Sequence, residues 1–448
     1  MTDKRSPYHA CAPALALLPT CAVTVFVLWP LVNIFSRALS WDVISRMATN
    51  VVIRQVLWFS TWQAIASTAI TLLVAFPATY VLARFQFIGK RMLLALVTIP
   101  FVLPTVVVGA AFLALLPDSL HRSVVAILLA HTYFNIAVVV RMVGRRWEQI
   151  SPLIHDAAGT LGASPFTIFR TITVPTLATS IRSAAAVIFL LCFTSYGIIR
   201  ILGGPARATL EVEIYTRAIQ LGDLSGAAVL SLFQLLVLGS AMWWWIHTSH
   251  RSVPLARIQT YSAVPHNFRQ RLIVYGISTT TACIIVIPLI TVFVRSVSTG
   301  AGLSLDAWRL ILGNHATGLG TRPPLGAFWI SLQYAIATAI LAGVVGLAAS
   351  GAIAYGGRRI GQQEILVMLP LATSAVTLGL GLLITFDSGI IDLRSRWIMI
   401  PIAHSLVALP VVVRTMLPVI RSVPHGIRDA SATLGATPWQ MWMTVDRS

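Results

Sequence analysis

The chain has 448 residues, 57% of them apolar and only 10% charged, with a mean hydropathy of +0.83. A water-soluble domain carries about 25% charged residues, so that class is excluded. The net charge of +18 invites a nucleic-acid reading, but the basic residues gather at the ends of apolar stretches, as membrane topology requires, so no nucleic-acid partner is expected.

In chain order, Lys4 and Arg5 precede an apolar run too long for the core of a secretory signal, and nine more runs follow it, so it is expected to stay as an anchor. Crossing a hydrocarbon core about 30 Å thick takes roughly 20 apolar residues in a helix. Ten stretches meet that length: 12–35, 56–83, 92–116, 123–143, 181–203, 226–247, 272–295, 326–356, 364–386 and 397–419. The expected fold is an all-α polytopic membrane protein of about ten transmembrane helices. With the N-terminus in the cytoplasm, most of the 32 Lys and Arg fall on the inner side, which sets the orientation in a cell (plasma or inner) membrane. The bilayer is the first partner.

Pro100, Pro104 and Pro370 are expected to kink their spans. His131 recurs as His404 and is read as a neutral imidazole bonded between helices, with contact to cargo as the sharper alternative. Cys11, Cys21, Cys192 and Cys283 show no C-x-x-C spacing and read as small buried residues, so no metal site is expected. Glu211 and Glu213 are read as a solvated external loop, with contact to a binding protein as the alternative. The run Trp243-Trp244-Trp245 reads as an interfacial anchor. No Asp, Glu or Lys lies well inside a span, which disfavours proton-coupled transport.

The most informative pattern occurs twice, 273 residues apart. Asp156-Ala157-Ala158-Gly159-Thr160-Leu161-Gly162-Ala163-Ser164-Pro165 is matched by Asp429-Ala430-Ser431-Ala432-Thr433-Leu434-Gly435-Ala436-Thr437-Pro438. Ser151-Pro152 predicts a capped helix start, Gly162 a left-handed turn that ends the helix, and Ser164-Pro165 a second helix. Flanking segments repeat too: Leu96 to Pro100 aligns with Leu366 to Pro370, and Val138 to Arg141 with Val411 to Arg414. Six spans per repeat is even, so the repeats are parallel. The expected division is a first transmembrane domain 1–248 with a surface loop 144–180, a cytoplasmic linker 249–271, and a second domain 272–448 with its loop at 420–448. The second half holds four spans of an expected six and reads as truncated by about 70 residues relative to the first.

Both elbows resemble the cytoplasmic coupling loop of ABC importer permeases, E-A-A-x3-G-x9-I-x-L-P. Asp156, Ala157, Ala158, Gly162, Ile172 and Pro175 fall at that spacing, with Val174 in place of leucine. In the second copy Asp429, Ala430 and Gly435 match, Ser431 replaces an alanine, and Val445 to Ser448 occupy the I-x-L-P positions. The chain most resembles fused, binding-protein-dependent type I permeases, the arrangement of thiamine and ferric-iron importers. The resemblance implies that Asp156, Ala157, Ala158, Leu161 and Gly162, with Asp429, Ala430, Leu434 and Gly435, contact ATPase subunits, expected as a homodimer. It also implies an extracytoplasmic solute-binding protein. Pro100, Pro104, His131, Pro370 and His404 would then border the pathway or gate. No G-x-x-x-x-G-K-[ST] loop is present, so ATP and magnesium are expected to be used by a partner chain, with no cofactor bound here and no enzymatic activity. An ATPase-independent transporter or channel, and an inactive truncated permease, are the alternatives.

Overall fold

The computed structural model describes residues 12–204, 207–249, 261–299, 302–313, 323–356, 363–387, 392–393, 396–423, 425–436 and 440. Cys11, residues 250–260 of the linker 249–271, Thr437-Pro438 and positions 441–448 of the second motif lie outside them. The protein is an all-α polytopic membrane protein. Among the described residues eight helices are long and apolar enough to cross a bilayer, and two bent helix pairs raise the number to ten. The eight are α1 (Pro13–Ala38), α2 (Val51–Arg84), α5 (Val124–Glu148), α7 (Pro165–Phe193), α10 (Leu224–Trp243), α11 (Phe268–Val297), α12 (Pro324–Tyr355) and α15 (Met399–Ser422). The bent pairs are α3 (Lys90–Val102) with α4 (Thr105–Leu115), and α13 (Gln363–Ala372) with α14 (Ala375–Phe386). A two-residue ribbon, β1 (Ser298–Thr299) and β2 (Gly302–Leu303), follows α11.

Three sequence expectations need correction. Stretches 92–116 and 364–386 are kinked as expected, by 103° and 95°, but not at two of the three prolines named. The first bend is not at Pro100, which stays inside α3, but at Leu103, held extended at φ −67°, ψ 143° by the ring of Pro104 behind it. Likewise Pro370 lies inside α13, and α14 starts afresh where Ser374 Oγ accepts from Thr377 N at 3.0 Å. Third, the span expected at 181–203 begins at Pro165 and stops at Phe193. A separate short helix, α8 (Gly197–Leu202), follows.

Contacts sort the chain into two compact units, one of Arg46–Glu213 with Leu236–Arg309, the other of Met1–Ser45, Ile214–Leu235 and Leu310–Ser448. This grouping cuts across the division 1–248 and 272–448. The first unit contains α11, the opening helix of the second half: Tyr133 Oη on α5 donates to Ile285 O at 3.1 Å, and the rings of Phe87 and Tyr275 meet at 6.1 Å. The second unit contains α1, the opening helix of the first half. Val23 and Val27 join Ala349, Ile353, Val367, Leu378, Leu382, Phe386, Leu406 and Leu409 in one core. Asn33 Nδ2 donates to Thr385 Oγ1 at 2.9 Å, and Phe26 and Trp29 flank the Phe386 ring.

The interior of the first unit is a polar seam within apolar helices. Ser60, Gln63, Ser67, Thr71 and Thr79 of α2 are fully buried, with His131 and Asn135 of α5. Hydroxyls of Ser60, Thr68, Thr71 and Thr79 bond carbonyls one turn back, satisfying themselves where water is absent. Asn50 and Ser123 cap α2 and α5 through Val52 N at 2.9 Å and Ala126 N at 3.1 Å.

Candidate functional site: two matching elbows

The first elbow follows α5 directly. Its helix α6 (Pro152–Thr160) starts with Pro152 at the first turn; Ser151 makes no side-chain cap, contrary to expectation. Gly162 ends it at φ 84°, with Ala163 N bonded to Ala158 O at 3.0 Å and Gly162 N to Gly159 O at 3.0 Å. That pair of bonds is a Schellman closure, and it needs a residue that accepts positive φ. Ser164 then caps the next helix through Thr167 N at 3.2 Å. This second elbow helix is not separate: it is the first turn of α7, reached through a π-turn over Phe169–Thr173.

The second elbow repeats the geometry. Helix α16 (His425–Thr433) ends at Gly435 with φ 81°, and Ala436 N bonds Ser431 O at 3.1 Å. Leu161 and Leu434, at the two turns, are each 88% exposed. Ala157 and Ala430 are also exposed, while Ala158 and Ser431 are half-buried. Asp156 is exposed on α6; Asp429 lies on α16. The duplication extends to residues the sequence reading did not single out. Ile154 is 51% and Ile427 50% exposed at the same 273-residue offset, which was the signal available. A lone exposed leucine needs no explanation, but the same apolar pair on two identical turns does.

What holds the first elbow is aromatic packing beneath it. Phe76 of α2 meets Trp147 at 4.9 Å and Phe169 at 6.0 Å, and Tyr80 meets Trp147 at 5.3 Å. Arg84 Nη1 donates to Ile150 O at 2.8 Å, fixing the chain as it leaves α5. His155 Nε2 bonds Thr173 Oγ1 at 3.0 Å, tying α6 to the start of α7. Burial pushes the His155 imidazole below its usual pKa, the nearby Arg84 guanidinium adds to this, and Asp156 partly offsets it. A cavity of about 650 Å³ lies among Phe76, Tyr80, Arg84, Trp147, His155 and Phe169.

The remaining predicted residues are not brought to the elbows. His131 is 1% exposed; its Nδ1 meets Ser67 Oγ at 3.0 Å and its Nε2 meets Ser195 Oγ at 2.9 Å, a geometry that suits a neutral ring joining helices. His404 is exposed, so the repeat diverges here. Pro100 and Pro370 are buried and Pro104 is exposed. Glu211 is not in a solvated loop: it is 1% exposed on the short helix α9 (Leu210–Tyr215), and Glu213 is half-buried. Thr209 Oγ1 donates to Ser195 O at 3.1 Å and Leu210 N to Ser60 Oγ at 2.9 Å, and these bonds fold the segment onto the bundle.

Comparison with known proteins finds the chain similar to ABC permeases. A thiamine transport system permease protein of Brucella abortus (strain 2308) is 33% identical over 177 residues, 35% of this chain and 32% of that protein. A probable ABC transporter permease protein of Sinorhizobium fredii is 22% identical over 463 residues, covering 95% of this chain and 81% of that protein. A probable sulfate transport system permease protein of Marchantia polymorpha is 25% identical over 232 residues, 47% of this chain and 81% of that protein. The chain spans about a third of the length of the thiamine permeases it matches. No protein-family model matches the chain.

Proposed function

We propose that this chain is the membrane-spanning permease subunit of an ATP-driven importer, carrying a small nutrient into the cytoplasm. The observation that supports it most is the pair of matching elbows, each closed at a positive-φ glycine and each presenting one leucine at 88% exposure. Seating a leucine in a partner's groove stabilises a complex by about 1.5–3 kcal/mol, and the exposed Ala157 and Ala430 let a partner surface come close. The partners in this reading are ATPase subunits, which use ATP and magnesium, and a solute-binding protein on the opposite side. Asp156 and Asp429 would face basic groups of the ATPase. Closure of the ATPase pair would move the elbows, and the helices rooted in them, between two packed states. In this reading the N-terminus lies in the cytoplasm, which the Lys and Arg bias supports.

Thiamine is the proposed cargo, supported by the thiamine transport permeases among the relatives. Ferric iron rests on the sequence resemblance alone. Uptake of labelled thiamine into cells co-expressing the chain, an ATPase and a binding protein tests both levels of the reading. Gly162→Pro removes the positive φ and the bond from Gly162 N to Gly159 O, at a local cost of about 1–3 kcal/mol. Uptake should fall about tenfold or more, with membrane insertion unchanged. Unchanged uptake in this variant refutes the coupling role, and thiamine-independent ATP turnover in the intact system refutes the cargo.

A further inference from the structure

Near the elbow end of α5 lies another cavity, of about 270 Å³. Leu82, Ala83, Leu94, Val97 and Val140 form its apolar part, and Thr98, Arg141, Gly144, Arg145 and Glu148 its polar part. Arg141 stands seven residues before the end of α5, about 10 Å from that end along the helix. Its Nη2 donates to Thr98 Oγ1 at 2.8 Å, while the Thr98 hydroxyl donates to Leu94 O at 2.9 Å. Thr98 thus acts as a fixed acceptor that orients the guanidinium. A guanidinium has five N–H donors, and this bond engages one of them.

Arg145 follows Arg141 at i+4, on the same helix face. Like charges at that spacing repel unless an anion lies between them. Glu148 is the one acid among the lining residues, and it is already shared: Lys90 Nζ stands 3.8 Å from its Oε1, and Arg145 also acts on it. Two cations, Lys90 and Arg145, therefore share this carboxylate, and Arg141 adds a further positive charge to the lining.

The internal repeat provides a control. At the offsets that align the two halves, Arg141 corresponds to Arg414, but Thr98 becomes Met368, Gly144 becomes Leu417 and Arg145 becomes Pro418. Leu417 is 5% exposed and belongs to the core of its unit. Packing of these helices therefore does not depend on the hydroxyl, the gap or the second arginine.

We propose that Thr98, Arg141 and Arg145 frame a binding site for a phosphate group. Two guanidiniums one turn apart match the oxygens of a tetrahedral oxyanion, and a basic pocket between spanning helices is suited to an anionic headgroup. The phosphate belongs either to a free ion or to a lipid. The site is separate from the elbow surface and does not require that the chain serve an ATPase.

The test uses the purified full chain in neutral detergent. One arm follows thermal unfolding with inorganic phosphate against chloride at equal ionic strength. The other counts bound phosphatidylglycerol against phosphatidylcholine by native mass spectrometry. A saturable phosphate effect assigns the free ion, and selective phosphatidylglycerol retention assigns the lipid. In either arm Arg141→Gln should weaken binding about tenfold or more, the loss of one charge-assisted bond. Arg141→Lys should weaken it less, and Thr98→Val, which keeps the volume, should also weaken it. These two variants carry the test if R141Q is not recovered as a monodisperse protein. Binding that is absent in both arms, or equal in the wild type and all three variants, overturns the assignment.

Discussion

Leu161 and Leu434 take their meaning from being identical in position and exposure, 273 residues apart. Beside them His155 supplies a pH-sensitive fastening. Its Nε2 joins α6 to Thr173, and its pKa is lowered chiefly by burial. A histidine whose folded pKa lies below its unfolded value contributes stability at pH above 6.5, and loses it as the pH falls through the folded pKa. The groups facing it are Arg84, which deepens the effect, and Asp156, which opposes it. Thermal unfolding of the wild type should therefore show a drop between pH 7.5 and 5.5 that His155→Gln removes, the amide keeping a bond to Thr173. Parallel pH profiles for the two proteins would show that His155 does not supply this pH dependence.

At the scale of the element, the turns were legible and the bends only in part, Pro104 marking the first. Gly162 and Gly435 were readable because positive φ at a helix end restricts residue type, and both adopt it, at 84° and 81°. Pro100 and Pro370 were misleading. A proline inside an apolar helix costs one backbone bond, which packing in each unit absorbs, so the fold breaks instead where Leu103 precedes Pro104 and where Ser374 restarts a helix. Burial of Glu211 was illegible because a short acidic segment between spans looks solvated until Ser60 and Ser195 are found holding it. Helix contact adds a further constraint. A Cβ on Gly346 of α12 would come within 2.5 Å of Val412 Cγ1 on α15, so these backbones approach closely only because glycine is there. Gly346→Val should lower stability by about 1–3 kcal/mol through overpacking, read as a reduced midpoint in a detergent unfolding titration. An unchanged midpoint would mean that α12 and α15 are not packed this closely.

For the whole molecule, the repeat was visible in the sequence, but its use was not. Matching motifs reveal which segments correspond along the chain; they do not reveal that α1 packs with helices of the second half and α11 with helices of the first. Such exchange depends on which apolar faces meet, and those faces look alike in uniformly oily spans. The functional account depends on the elbows as two equivalent grips for a nucleotide-hydrolysing partner. The most direct measurement places a photo-crosslinking amino acid at Leu161, at Leu434 and, as a control, at Trp58, which is 71% exposed on the spanning helix α2. The full chain is reconstituted with its ATPase subunits and illuminated. The account predicts ATPase adducts from both Leu161 and Leu434 and none from Trp58; adducts absent from both elbows, or equally frequent at Trp58, would contradict it.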